Sequence, residues 1–300
     1  MRRATAQASY SYFSPRNPIT FTARPGETFE VETLPNCGRQ FDAHTGRFDE
    51  SAPRGINASA GNIAVEGAVA GGNLIVHVLD IRLGEYGYTK LRWPSVLLPQ
   101  LAGEKGWEPL TTKVVRIRDR QIEWSDRLKI PAAPMIGCMG VAQAEEVSSC
   151  AHNGPFGGNF DIQEIAPGCR VHLPVLVDGA MLHIGDIHAV QGDGEIDGAG
   201  GIETAGGITM KVELAQRPKR FRNPRIETDD WIAATGFARP AEAAFSAALG
   251  NLIHWMVDEF GFKPVDAHML LAQVLEARIT QLVNPLYTCI CKVRRQHLVP

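Results

Sequence analysis

The sequence predicts an α+β fold that is mainly β, with sheets built from residues 25–215 and helices in a C-terminal part at 238–284. Glycine (30) and proline (19) are both abundant in the 300 residues, which favours many turns and short strands over long helices. Apolar residues alternate with period two in runs such as 28–33 and 113–118, as half-buried strands require. Beyond about Asp230 the spacing becomes that of amphipathic helices. Strands followed by helices is the α+β pattern.

Residues 1–24 read as a loose lead-in, and Pro25-Gly26 turns the chain into the strand 28–33. The polar, aperiodic stretch 36–62 is long for a connection, so it reads as a functional loop or a segment lying against a partner. Order returns at 63–83 as two strands around Gly71-Gly72-Asn73, a hairpin signal with a slightly long turn. Segments 113–118 and 121–124 form another pair of short strands, and the apolar run 131–141 leads to a loop at 148–161. The clearest hairpin is 171–177, then Asp178-Gly179, then Ala180 onward, because Asp-Gly between apolar runs suits a type I′ turn. Pro174 suits an edge strand, since it cannot donate to a ladder. One more strand is expected at 207–214.

Phe245, Ala248, Leu249, Leu252, Trp255 and Met256 mark a helix over 241–260, with Pro240 in its first turn and Gly261 as its stop. Ala267, Leu270, Leu271, Val274 and Arg278 predict a second helix over 264–283, ended by Asn284-Pro285. With no repeat and no low-complexity tract, the whole of 1–300 reads as a single unit.

Composition excludes several classes of partner. Hydrophobic residues at 44% and charged residues at 21% are ordinary for a globular chain, and a formal net charge of -3 gives no reason to expect nucleic acid or an anionic membrane. No apolar run approaches the ~20 residues of a membrane span. Polar Thr5, Gln7 and Ser9 follow Met1-Arg2-Arg3 where a signal peptide needs an apolar segment, so a cytoplasmic protein is expected. The cysteines at 37, 138, 150, 169, 289 and 291 show no framework spacing and are expected to be reduced.

Chemistry concentrates at 183–203, HIGDIHAVQGDGEIDGAGGIE, where an apolar strand runs into a glycine-rich loop of carboxylates and histidines. On that strand Leu182, Ile184, Asp186 and His188 share one face, and Asp193 and Glu195 lie beyond on the loop. Ligands at i and i+2 project together, and a returning carboxylate completes a three-ligand shell with one position open for water. Carboxylate plus imidazole suits Zn²⁺, Mn²⁺ or Fe²⁺, whereas carboxylates and carbonyls alone suit Ca²⁺. The bland alternative is an acidic turn beside a hydrogen-bonded core histidine.

Gly157-Gly158-Asn159-Phe160-Asp161 comes second: its glycines allow positive φ, which would aim Asn159 and Asp161 into a cleft, although the same pattern also makes surface turns. Cys138, Cys150 (two residues before His152) and the Cys289-x-Cys291 pair read as structural. His183 falls on the opposite strand face from His188, and Glu227, Asp229 and Asp230 read as a solvated acidic turn.

The ordered combination of Gly157-Gly-Asn-Phe-Asp161, Gly185-Asp-Ile-His188 and Gln191-Gly-Asp-Gly-Glu195 resembles the acetamidase/formamidase family. Pro25-Gly26-Glu27, Met135-Ile-Gly137, Ile202-Glu203, Glu227-Thr-Asp-Asp230 and Arg278-Ile-Thr-Gln281 extend the resemblance over most of 25–284. It implies hydrolysis of the C–N bond of short amides, a β-sandwich (jelly-roll-like) with added helices, a divalent metal and a homodimer. Asp161, Asp186, His188 and Glu195 match the family's acidic and histidine positions.

The resulting expectation is a metal, zinc first and calcium as the alternative, on Asp161, Asp186 and His188. Glu195 and Asp193 are the expected catalytic residues, and Asn159, Gly158 and Gln191 the substrate-binding ones. The substrate would be a small amide resembling formamide or acetamide, or a γ-lactam. The alternatives are a non-catalytic β-rich protein binding metal or a small ligand, and an amidase with a cysteine nucleophile. Asn62, Asn73 and Gln143 depart from the family pattern, which bears on substrate range.

Overall fold

The computed structural model describes residues 1–92, 95, 97–108, 110–145 and 148–299. Among them the strands build two large sheets, one of nine strands and one of twelve. The first contains Thr28–Thr33, Gly206–Ala215, Asn73–Leu83 and Arg170–Pro174 as consecutive neighbours, and the second is centred on Leu182–His188 and Met135–Val141. Phe29, Val31, Leu74, Val76, Val171 and Ile208 of the first sheet share one apolar core with Ile63, Ile136, Met139, Leu182 and Ile184 of the second. This is the face-to-face packing of a sandwich. Among the described residues the chain is mainly β, with its α-helices in the C-terminal part, as the sequence indicates.

Both expected hairpins turn out to be corners between the sheets. Ser59–Val65 belongs to the second sheet and Asn73–Leu83 to the first; Arg170–Pro174 belongs to the first and Leu182–His188 to the second. The two corners lie against each other, with Val65 N donating to Gly179 O (2.9 Å) and Gly71 N to Val175 O (2.8 Å). Turn residues make the chain reverse, but whether it returns to its own sheet or crosses to the facing one depends on which partners wait there. Pro174 therefore does not mark an edge: its strand lies between two neighbours, and it ends the ladder opposite Asn73.

The lead-in is also more ordered than its composition suggests, since Arg2–Ala4 runs parallel to Thr28–Thr33 and Phe21–Ala23 parallel to Ser59–Val65. Helix α1, Ala241–Phe260, has the expected bounds and ends at Gly261 with φ 76°. It packs on Trp231–Ala238 so closely that a Cβ on Gly236 would lie 2.1 Å from Ala244 O. Helix α2, Pro264–Val274, stops well short of position 283. Glu276–Gln281 is instead an antiparallel strand against Tyr287–Arg294, where unpaired backbone groups of the neighbour outweigh the helical spacing. No helix among the described residues is long and apolar enough to cross a membrane.

Candidate active site

Strand Leu182–His188 pairs with Met135–Val141 on one side, but the pairing is interrupted between Gly137 and Asp186. On its other side the partner changes from Ser59–Val65, which reaches Gly185, to Glu203–Thr204, which begins at Ile187. Asp186 sits in that gap with φ 60°, so strict alternation does not continue through it, and Ile184 and Ile187 both contribute to the core. Asp161 (φ 46°) and Glu195 (φ 38°) are also left-handed. Such backbone costs roughly 1–3 kcal/mol per non-glycine residue and persists where the surroundings enforce it, as at functional sites.

Gly137 is part of that enforcement. A Cβ there would lie 2.5 Å from Asp161 Oδ1 and 2.8 Å from Asp186 Oδ2, so both carboxylates occupy the space of the missing side chain. The Glu195 loop is held by Gly194 N donating to Ile279 O and Leu282 N donating to Gly194 O, both 2.9 Å. The strand that the sequence reads as helix therefore positions the Glu195 loop.

The result is a buried cluster of Asp161, Asp186, His188, Glu195 and Glu203, none more than 5% exposed. Donor atoms of Asp161, Asp186 and His188 lie within 4.8 Å of one another, and so do those of His188, Glu195 and Glu203. His188 Nε2 is 3.2 Å from Glu203 Oε1 and 3.6 Å from Asp186 Oδ1.

Three of the carboxylates are each held by an asparagine amide. Asn284 Nδ2 donates to Asp161 Oδ2 (3.1 Å), Asn57 Nδ2 to Asp186 Oδ2 (3.3 Å) and Asn36 Nδ2 to Glu203 Oε1 (2.8 Å). Tyr88 in turn donates its hydroxyl proton to Asn36 Oδ1. The second oxygens, Asp161 Oδ1, Asp186 Oδ1 and Glu203 Oε2, are buried without a hydrogen-bond partner, as are Glu195 Oε2 and His188 Nε2.

Burial and the neighbouring Asp186 charge push Asp161 up to about 7, and burial raises Glu203 to about 8. Burial and Asp161 raise Glu195 far above the carboxylate range. Burial works against the charged form of His188, but Glu203 and Asp186 outweigh it and hold the imidazole well above its ordinary value. Among the described residues no lysine or arginine forms an ion pair with these four carboxylates. Unpaired buried charge is costly, and orphaned buried acceptors are rare. A cation among the orphaned atoms removes both problems, so the donor set fits a divalent metal.

Gln191 supports this centre from within. Its Nε2 donates to the main-chain oxygens of Asp161 and Thr280 (3.1 Å each), which leaves Oε1 to accept from His188 Nδ1 at 2.7 Å. One ring proton is thereby fixed on Nδ1, so that with a cation in place of the Nε2 proton the Nε2 lone pair would face the carboxylates.

The structure thus brings Asp161, Asp186, His188 and Glu195 together and distributes the other sequence candidates around them. Gln191 is committed to internal bonds. Gly158 lets two strands approach, since a Cβ there would lie 2.1 Å from His152 O. The Asn159 carbonyl accepts from Asn284 (2.8 Å), while its own Oδ1 is buried and unpartnered. Asp193 is not brought into the cluster: its side chain is 67% exposed and pairs with Arg278 at 3.0 Å. Glu227 is no solvated turn residue, because it is paired with Arg170, His172 and Arg295.

His183 lies apart, hydrogen-bonded to Ser59 (3.0 Å) and Asn62 (2.5 Å), with burial lowering its pKa to about 3. Cys138 and Cys150 are fully buried and unbridged. Sequence reasoning did not assign Glu203, Asn36, Asn57 or Asn284 to the site. Only Glu203 carried a signal, as the last acid of the 183–203 stretch.

A cavity of about 370 Å³ has Asn36, Asn57, Tyr88 and Ala199 in its lining, so it reaches the side chains that hold Glu203 and Asp186. Apolar Ile56, Leu97, Ile196 and Val283 form further wall.

This architecture has known counterparts. The crystal structure of an acetamidase from Bacillus halodurans superposes with a TM-score of 0.88 and 31% identity, covering 98% of each chain. The chain belongs to the acetamidase/formamidase family. The model of the Acetamidase/Formamidase family matches residues 153–293, which contain Asp161, Asp186, His188, Glu195 and Glu203. The acetamidase of Mycolicibacterium smegmatis is 29% identical over 71% of this chain and 67% of its own length. The formamidase of Methylophilus methylotrophus is 26% identical over 68% of this chain and 63% of its own. The chain thus spans about two thirds of these curated relatives. As a member of the acetamidase/formamidase family it is an amidase, a hydrolase of linear amides.

Proposed function

We propose that this amidase is metal-dependent: Asp161, Asp186 and His188 hold a divalent cation, and Glu195 moves the proton that hydrolysis of a short amide requires. The observation that carries the reading is the convergence of buried, unpartnered donor atoms on one another. The nitrogen donor among them favours zinc over calcium, which prefers an all-oxygen shell. A divalent cation supplies Lewis acidity toward a carbonyl oxygen and lowers the pKa of water toward ~7.

The chain's own groups do the rest. With a cation offsetting the burial and the Asp161 charge that raise it, Glu195, buried and without an amide donor, would be ionised, accept the proton of the attacking water and deliver it to the departing nitrogen. Water adds to the carbonyl carbon, the C–N bond breaks, and a primary amide gives a carboxylate and ammonium. Gln191 keeps the His188 lone pair aimed inward, and the asparagine amides orient the other carboxylates. Formamide, acetamide and a γ-lactam are the substrates to try.

Ammonia release from formamide and acetamide, and ring opening of the γ-lactam to its amino acid, are measured on protein as purified, after EDTA, and after restoring Zn²⁺, Mn²⁺ or Ca²⁺. Activity abolished by the chelator and restored by a transition metal is expected. Full activity in metal-free protein would overturn the metal, and tight metal binding with no turnover of any amide would favour a binding protein.

A further inference from the structure

The cavity beside the site, which reaches it through Asn36 and Asn57, holds about 370 Å³. Acetamide has four non-hydrogen atoms, which at roughly 30 Å³ per water-sized group fill about 120 Å³. Space for a longer molecule is left over, and its lining is electrically lopsided. Asn36 and Asn57 connect the cavity to Glu203 and Asp186. Elsewhere the lining carries Arg54, Lys90 and Arg92 against one acid, Asp197. Asp197 Oδ1 is already occupied by the backbone N–H groups of Arg92 (3.3 Å) and Gly198 (2.9 Å). The Lys90 ammonium stands over the rings of Phe48 and Tyr88, at 4.6 and 5.3 Å. Among the described residues none of the three cations forms an ion pair with a carboxylate. Cations in excess within a cavity are a receptor for an anion, and guanidinium matches carboxylate geometry in particular.

We infer that Arg54, Lys90 and Arg92 bind an anionic end of the substrate, so that the preferred substrates are short primary amides carrying a carboxylate at the far end of the chain. The inference rests on the amidase reading and narrows it to a substrate class. The buried carboxylates of the site repel the anionic end while the cations attract it, so the molecule enters with its neutral amide toward Asn36 and Asn57, on the side of Glu203 and Asp186. The balanced reaction is ⁻OOC–(CH₂)n–CO–NH₂ plus water giving ⁻OOC–(CH₂)n–COO⁻ plus NH₄⁺. A neutral amide such as acetamide fills only the inner part of the same cavity.

The test compares kcat/KM for succinamate and acetamide in the wild type and in the Arg54→Gln/Arg92→Gln double variant. The wild type is expected to favour succinamate at least tenfold, mostly through KM, and the double variant to lose at least tenfold of that ratio. Added salt should lower the succinamate value more than the acetamide value. A wild type that prefers acetamide, or a ratio untouched by the double variant, would overturn the inference while leaving the amidase reading standing. If neither amide releases ammonia, the amidase reading fails, and calorimetric binding of succinate decides the cationic receptor by itself. Affinity weakened tenfold or more in the double variant supports it, and equal affinity overturns it.

Discussion

Gln191 Oε1 accepts the Nδ1 proton of His188 at 2.7 Å, and it is the only atom of that side chain left free to do so once Nε2 has bridged two main-chain carbonyls. One amide thus sets the tautomer of the one nitrogen donor in the cluster. Gln191→Leu should lower metal affinity or activity by about 10–100-fold. Zinc titration with ammonia release on the same preparations checks this. Unchanged affinity and unchanged turnover would mean that the ring needs no outside partner.

Gly137→Ala places a methyl group 2.5 Å from Asp161 Oδ1 and 2.8 Å from Asp186 Oδ2, both in a packed interior. We expect activity to fall at least 100-fold, with a stability loss of roughly 1–3 kcal/mol from overpacking. Thermal unfolding and kinetics of the variant separate the two effects. The alanine protein should remain folded but lose its metal.

Removal of the cation should destabilise the fold without abolishing it, because the site occupies one region of a large core. A ligand present at 100 times its Kd adds about 2.7 kcal/mol. EDTA should therefore lower the Tm by several degrees and zinc restore it, as read by calorimetry. No shift in either direction would argue that the cluster holds no metal.

Glu227 governs a separate acid response. Burial pushes its carboxyl up, but His172 and Arg170 outweigh that and hold it at about 2. A depressed folded pKa gives stability that is complete above the ordinary carboxylate value of 4.5 and is lost as pH falls toward 2. Tm measured from pH 6 to pH 2 should fall through that window in the wild type. In Glu227→Gln the slope should be shallower and the neutral-pH Tm lower, by the equivalent of about 1–3 kcal/mol. Parallel curves for the two proteins would refute this assignment.

Local signals were legible where local physics decides. Helix 241–260, with Pro240 and Gly261 at its ends, reads directly from spacing and caps, and so does the step from an apolar strand to Asp186 and His188. Pairing between distant segments was not legible. Asp178-Gly179 looks the same whether the chain turns back on its own sheet or crosses to the facing one, and 276–281 is a strand because Tyr287–Arg294 offers it an edge. In the site, Asp161, Asp186 and His188 were visible as donor types in motifs. Their supports Asn36, Asn57 and Asn284 were not, because an asparagine in a polar loop carries no mark of the carboxylate it will meet.

The asparagine clamps bridge long stretches of chain: 167 residues separate Asn36 from Glu203, and 123 separate Asp161 from Asn284. Each clamp joins segments far apart in the chain, so closing it depends on long-range contacts that bring those segments together. A metal held there would therefore enter a centre that the fold has already assembled, in contrast to small zinc domains that collapse around their metal. Cells starved of the metal should accumulate a folded, idle enzyme that wakes on simple addition of the ion.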